Sequence, residues 1–281
     1  MAALPELPGV THRFHDLATG VRAHVAEAGP PDATAVVALN GFPQHWYEWR
    51  RVIAELPDYR ILAMDTRGIG WSGPAPDGDY RKHRIAEDAK ALLDALGIKR
   101  AILLGHDWGG WAGWHAALKD PERWLGYVAT GIPHPWTTPL AALKTLPRLA
   151  YQPPIATPVL GPRLIPGLVP RILRAAWGEK ATYDRTAEEI YAAPYRERAE
   201  AASSYYRQYL LHEALRGPHG RLTIPTRLLY GRRDPIGTAA AEGLERHGDD
   251  ARTTFLDGCG HFVPEERPAE VADAVRSLPW S

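Results

Sequence analysis

Apolar residues recur along this chain in two alternating rhythms. Short unbroken runs at 35–39, 60–64, 101–104 and 124–130 read as buried strands. Between them lie stretches with helical spacing, at 46–56, 84–96 and 108–119. In the second of these, Ile85, Ala89, Leu92, Leu93 and Leu96 share one face, and Gly97 is placed to cap the helix. Residues 11–17 and 22–27 read as an opening hairpin around Thr19-Gly20. Repeated strand–helix–strand units predict an α/β fold with a mostly parallel central sheet covered by helices on both faces.

The rhythm changes after Ile132. From 133 to 220 no strand-like run stands out, and helical stretches at 164–177 and 187–215 are expected instead. Strands at 226–230 and 253–256 and helices at 239–246 and 269–278 then resume the first pattern. The simplest organisation is one core, 1–132 with 221–281, interrupted by a helical lid at 133–220. Within the lid, Leu164, Leu168, Ile172 and Leu173 form an apolar stripe beside Arg163, Arg171 and Arg174. Pro166 and Pro170 are expected to break that stripe, which favours a lid packed on the core over a helix lying on a membrane.

Composition narrows the function classes. Lys plus Arg is 33 and Asp plus Glu is 33 among 281 residues. That balance argues against a nucleic-acid binder. The single cysteine, Cys259, rules out an internal disulfide and a thiolate metal cluster. The 12 histidines include no His-Glu-x-x-His pair, so no metal is expected. No apolar run reaches the ~18 residues of a membrane span, and the start lacks a basic, apolar leader. The expected setting is cytoplasmic, without a membrane partner.

The strongest chemical signal is Gly105-His106-Asp107-Trp108-Gly109, where a strand ends and a helix begins at once. Glycines two residues to either side of a central residue mark a nucleophile elbow, a strained turn that lifts one side chain above the sheet. The lifted residue here is Asp107. An Asp that merely caps a helix is the plain alternative. Two later residues weigh against it. Asp234 follows one strand and His261 follows the next, in the order nucleophile, acid, histidine. Both fall in loops after strands, where α/β sheets hold ligands. The loop Asn40-Gly41-Phe42-Pro43 follows the third strand, and in this architecture it supplies an oxyanion-hole amide. Phe42 is the expected donor, with Trp108 as the second and a cis bond at Pro43 tightening the turn. Gly68-Ile69-Gly70-Trp71-Ser72-Gly73 matches a dinucleotide fingerprint, but Trp71 is awkward where a helix should meet a pyrophosphate, so no cofactor is expected.

These motifs, with Trp46-Tyr47-Glu48-Trp49, Asp65-Thr66-Arg67-Gly68 and Gly260-His261-Phe262, resemble the α/β-hydrolase fold, epoxide hydrolase branch. The resemblance covers nearly the whole chain. Relatives usually carry His where this chain has Asn40. The resemblance implies two lid tyrosines that protonate the leaving alkoxide, falling at Tyr151 and Tyr206, with Tyr205 and Tyr209 as near alternatives. It implies a cofactor-independent hydrolase that opens small apolar epoxides to diols through an Asp107 ester, which a His261-activated water cleaves. Trp46, Trp108 and Pro43 are expected to contact substrate, and the chain to be a monomer or homodimer. A haloalkane dehalogenase with the same triad is the rival enzyme. A fluoroacetate dehalogenase is disfavoured because Trp108 and Trp111 occupy the places of its arginines. A ligand-binding homologue without turnover is the rival outside enzymes.

Overall fold

The computed structural model describes residues 2–214 and 217–279, with the backbone alone at position 139. Eight strands form one sheet in the order β1-β2-β4-β3-β5-β6-β7-β8. They are β1 (Val10–Asp16), β2 (Arg22–Ala28), β3 (Ala35–Leu39), β4 (Arg60–Met64), β5 (Ala101–His106), β6 (Trp124–Thr130), β7 (Thr226–Gly231) and β8 (Ala251–Leu256). β2 runs antiparallel to both β1 and β4. From β4 onward every pairing is parallel, so the carboxyl ends of β3, β5, β7 and β8 open on one edge.

Side-chain alternation explains why the strands carry apolar residues at every position. Val37, Leu39 and Leu103 enter one buried cluster with Leu92, Leu93 and Trp114. Val36, Ala38, Ile102 and Leu104 enter a second, with Trp49, Val52, Val271 and Val275. Both faces of the central strands are therefore dry, while β1 and β8 at the edges keep exposed positions. The covering helices are α1 (Arg50–Glu55), α2 (Lys82–Ala95) and α3 (Asp107–Lys119) before the insertion. Within the insertion lie α4 (Pro139–Thr145), α5 (Gln152–Ala156), α6 (Leu160–Ala176), α7 (Arg185–Ala192) and α8 (Tyr195–Gln208). α9 (Val263–Glu266) and α10 (Pro268–Arg276) close the chain. No helix among the described residues is long and apolar enough to cross a membrane.

Three expectations need correction. The predicted helix at 239–246 is two 3₁₀ turns, Thr238–Ala241 and Leu244–His247, parted by Gly243 in the left-handed region at φ +88°. The stretch 187–215 is split at Pro194 into α7 and α8, and α8 runs on into a π turn, Tyr209–Glu213. Its predicted end, Leu215, lies outside the described residues. Finally, Pro166 and Pro170 do not break α6. With Pro162 they recur every four residues along a half-buried strip, while Gly161, Ile165, Val169, Leu173 and Ala176 are buried. The prolines thus remove hydrogen bonds from one side of the helix, and burial of the other side holds it together.

Candidate active site

β5 ends at His106 and α3 begins at Asp107 with no loop between them. Asp107 has φ +45° and is the only non-glycine with positive φ among the described residues. Such a conformation costs on the order of 1–3 kcal/mol and persists only where the surroundings enforce it. The surroundings are backbone. A Cβ on Gly109 would lie 2.2 Å from the Leu39 carbonyl oxygen, and one on Gly41 would lie 2.6 Å from the Asp107 Cβ. Glycine at both places lets β3, its loop and α3 close around the strained residue.

The sheet edge then brings three distant residues together. Asp234, beyond β7, accepts a 2.8 Å hydrogen bond at Oδ2 from His261 Nδ1, beyond β8. His261 Nε2 faces Asp107 Oδ1 at 3.8 Å. All three side chains are buried. Burial alone would lower the imidazole pKa, but the charge and hydrogen bond of Asp234, with the charge of Asp107, outweigh it and raise His261 to about 9.

The Phe42 N–H donates to Asp107 Oδ2 at 2.9 Å, and the Phe42–Pro43 bond is cis. The Trp108 amide belongs to the first turn of α3, whose N–H groups have no partner within the helix. Asn40 braces this loop. Its amide donates to the Gln44 carbonyl at 3.0 Å and its Oδ1 accepts from the Thr66 N–H at 2.9 Å.

A cavity of about 160 Å³ opens above Asp107. The core contributes Phe42, Asp107, Asp234, Pro235, Ile236 and His261 to its wall, and the insertion contributes Tyr151, Ile172 and Tyr206, among others. The Tyr206 ring is wedged edge-on against Phe42, Trp108 and Tyr151, at centroid distances of 5.3, 5.2 and 6.2 Å. Burial pushes the Tyr206 phenol well above its ordinary value. Tyr151 is 40% exposed, yet protein packed around its phenol pushes it up too. Tyr205 turns away and donates to the Arg67 carbonyl at 2.8 Å. Tyr209 packs on Trp108 and Trp111.

The sequence profile of the α/β-hydrolase fold family matches residues 34–268. Epoxide hydrolase A of Mycobacterium tuberculosis is 30% identical over alignments covering 94% of this chain and 96% of its own. The AB hydrolase superfamily protein YfhM of Bacillus subtilis is 30% identical, over 91% and 93%. This chain belongs to the epoxide hydrolase family of α/β-hydrolases. The crystal structure of epoxide hydrolase A from Mycobacterium thermoresistibile superposes with a TM-score of 0.78 at 26% identity, over 97% of this chain and all of that one.

Three expected substrate contacts of this α/β-hydrolase lie elsewhere. Trp46 is fully buried against His12 and Tyr47, and its backbone N–H donates to Asp65 Oδ1, so it cannot reach the cavity. Its position at the start of a 3₁₀ turn, Trp46–Trp49, turns it into the second core cluster. Pro43 is buried behind Phe42 and is absent from the cavity wall. The Trp108 ring stands behind Tyr206 and lines a separate cleft of about 10 Å³. The glycine-rich run after β4 wraps the Asp65 carboxylate, which accepts the Trp71 N–H, and no helix starts until Lys82.

Sequence reading also passed over Glu48 and His106. Glu48 Oε2 meets His106 Nδ1 at 2.8 Å, Glu48 Oε1 accepts from the Gly41 N–H at 3.1 Å, and His106 Nε2 meets the His261 carbonyl at 3.1 Å. One buried pair therefore ties the Phe42 loop, the elbow and the His261 loop. Burial pushes Glu48 well above the carboxylate range and lowers His106 to about 4. The available signal was a lone acid among three large aromatics at 46–49.

Proposed function

We propose that this hydrolase opens small apolar epoxides to vicinal diols, with Asp107 as nucleophile and the inserted helices as a lid. One observation carries the reading: a strained carboxylate, a histidine–acid pair and two protonated phenols converge on one cavity. The Phe42 N–H occupies Oδ2, which leaves Oδ1 to attack an epoxide carbon. Tyr151 and Tyr206 both hydrogen-bond the departing oxygen, and one of them gives it a proton. Both are raised above the usual phenol range and so keep their protons through neutral and mildly alkaline pH.

The alkyl ester that forms retains Oδ2 as its carbonyl oxygen. His261, oriented by Asp234, takes a proton from water, and that water attacks the Asp107 carbonyl carbon. Negative charge then develops on Oδ2, where the Phe42 N–H already lies and the Trp108 amide is the second donor. Collapse breaks the bond between Oδ1 and the Asp107 carbonyl carbon, Oδ1 takes up the proton held by His261, and the diol leaves carrying Oδ1. No step needs a cofactor. A carboxylate nucleophile suits saturated carbon, because its ester can be hydrolysed at the enzyme's own carbonyl.

The test is a screen of aryl and alkyl epoxides beside chlorinated and brominated alkanes. Diol formation from styrene oxide without halide release is expected. Halide release without diol formation assigns the site to a dehalogenase instead.

A further inference from the structure

Lys82 sits at the start of α2 with no exposed surface, outside the machinery described above. Its Nζ donates to the Tyr205 carbonyl at 2.7 Å and lies 3.2 Å from Glu213 Oε2. Its backbone N–H donates to Glu213 Oε1 at 2.9 Å. The same ammonium lies over the Trp108 ring at 4.3 Å and the Tyr209 ring at 5.1 Å. Three elements meet on one charge: α2, the helix that follows Asp107, and the end of α8 with its π turn. The π turn has a geometric purpose here. A π turn is wider than the α-helix that leads into it, and Glu213, the last residue of this one, reaches the Lys82 amine.

We infer that the Lys82 ammonium is a positioning residue, a charged clasp that holds the end of the lid helix on Trp108 and thereby keeps Tyr206 in the cavity. The link is direct. Tyr206 follows Tyr205, whose carbonyl Lys82 holds, and its ring packs on the Trp108 indole whose face the ammonium covers. A buried ammonium is tolerated only when paired, and attraction to aromatic faces strengthens on desolvation.

The clasp is pH-sensitive. Burial lowers Lys82 to about 8, with Glu213 opposing the fall. The other titratable groups around it are His83 on α2, His115 and Asp107 on α3, Asp79 before α2, and Tyr205 and Tyr209 from the lid. The carboxylates among them favour the charge. His115 is lowered to about 4 and is neutral where Lys82 titrates.

The effect on turnover depends on the proposed epoxide reaction; the effect on the lid does not. The test therefore pairs pH profiles of epoxide turnover with amide hydrogen exchange of residues 205–213, corrected for intrinsic rates, in wild type, Lys82→Met and Glu213→Gln. Wild-type kcat should fall above about pH 8, with exchange protection of the segment lost in parallel. Lys82→Met should lower kcat roughly 10- to 100-fold, the scale of a misplaced group, and lose the limb. Glu213→Gln should move the limb to lower pH, because the carboxylate that sustains the charge is gone. Wild-type protection unchanged between pH 7 and 9 overturns the clasp, as does a Lys82→Met enzyme with wild-type turnover and the same limb. If Lys82→Met does not fold, wild type and Glu213→Gln decide the matter. If wild type opens no epoxide, the proposed function fails while the exchange result still judges the clasp.

Discussion

His261 Nε2 stands 3.8 Å from Asp107 Oδ1, too far for a hydrogen bond and close enough for a water to be shared. The other oxygen of Asp107 is held by the Phe42 amide. The carboxylate is thus divided into an oxygen free to react and an oxygen already seated where negative charge would develop.

That division predicts a trap. Alkylation needs Asp107 and a proton donor, and His261 serves in neither role. His261→Gln should complete the first step and stall at the second. Intact-protein mass after incubation with styrene oxide should rise by one epoxide, mapped to Asp107. Wild type in heavy-oxygen water should release a first-turnover diol whose new oxygen comes from Asp107. Solvent oxygen in that first diol would assign attack to water and demote Asp107 to a base.

On the proposed mechanism, Tyr151 and Tyr206 should share the stabilisation of the departing oxygen. Tyr206→Phe should lower kcat by roughly 10- to 1000-fold, as loss of a general acid does. Tyr205→Phe should cost far less, since its hydroxyl serves the Arg67 carbonyl outside the cavity. The reverse ranking in steady-state rates would reassign the donor.

His261 should also mark stability against pH. Its folded pKa of about 9 lies above the unfolded value near 6.5. The stabilisation is therefore full below about pH 6.5 and fades as pH rises through about 9. The difference in melting temperature between wild type and His261→Gln should shrink across that window. In Asp107→Asn, the His261 imidazole should titrate lower by NMR, because one of the charges that raise it is gone. An unshifted imidazole would show that Asp107 does not act on it.

Asn40 should behave as a brace. Asn40→Ala strands the buried Thr66 N–H and should cost about 1–3 kcal/mol in denaturant unfolding. Asn40→His should remain active. A folded but inactive Asn40→His protein would give Asn40 a role beyond the loop.

Much of this molecule was readable from its residues in order. Unbroken apolar runs mark the central parallel strands because both faces of the sheet are buried there, and β3 to β7 lie where those runs fall. Gly-x-Asp-x-Gly at a strand–helix junction announced a strained turn, because only glycines fit where β3, β5 and α3 touch. Tertiary structure decided what no local pattern carries. Trp46 was an expected substrate contact, yet the turn it begins points it into the core. α6 survives two internal prolines because its buried stripe is paired with the rest of the insertion, a gain invisible to propensity. Glu48 bonds across 58 residues and Lys82 across 131, so neither could be read from its neighbours. A buried ionisable group is placed by its partner, and the partner is chosen by the fold.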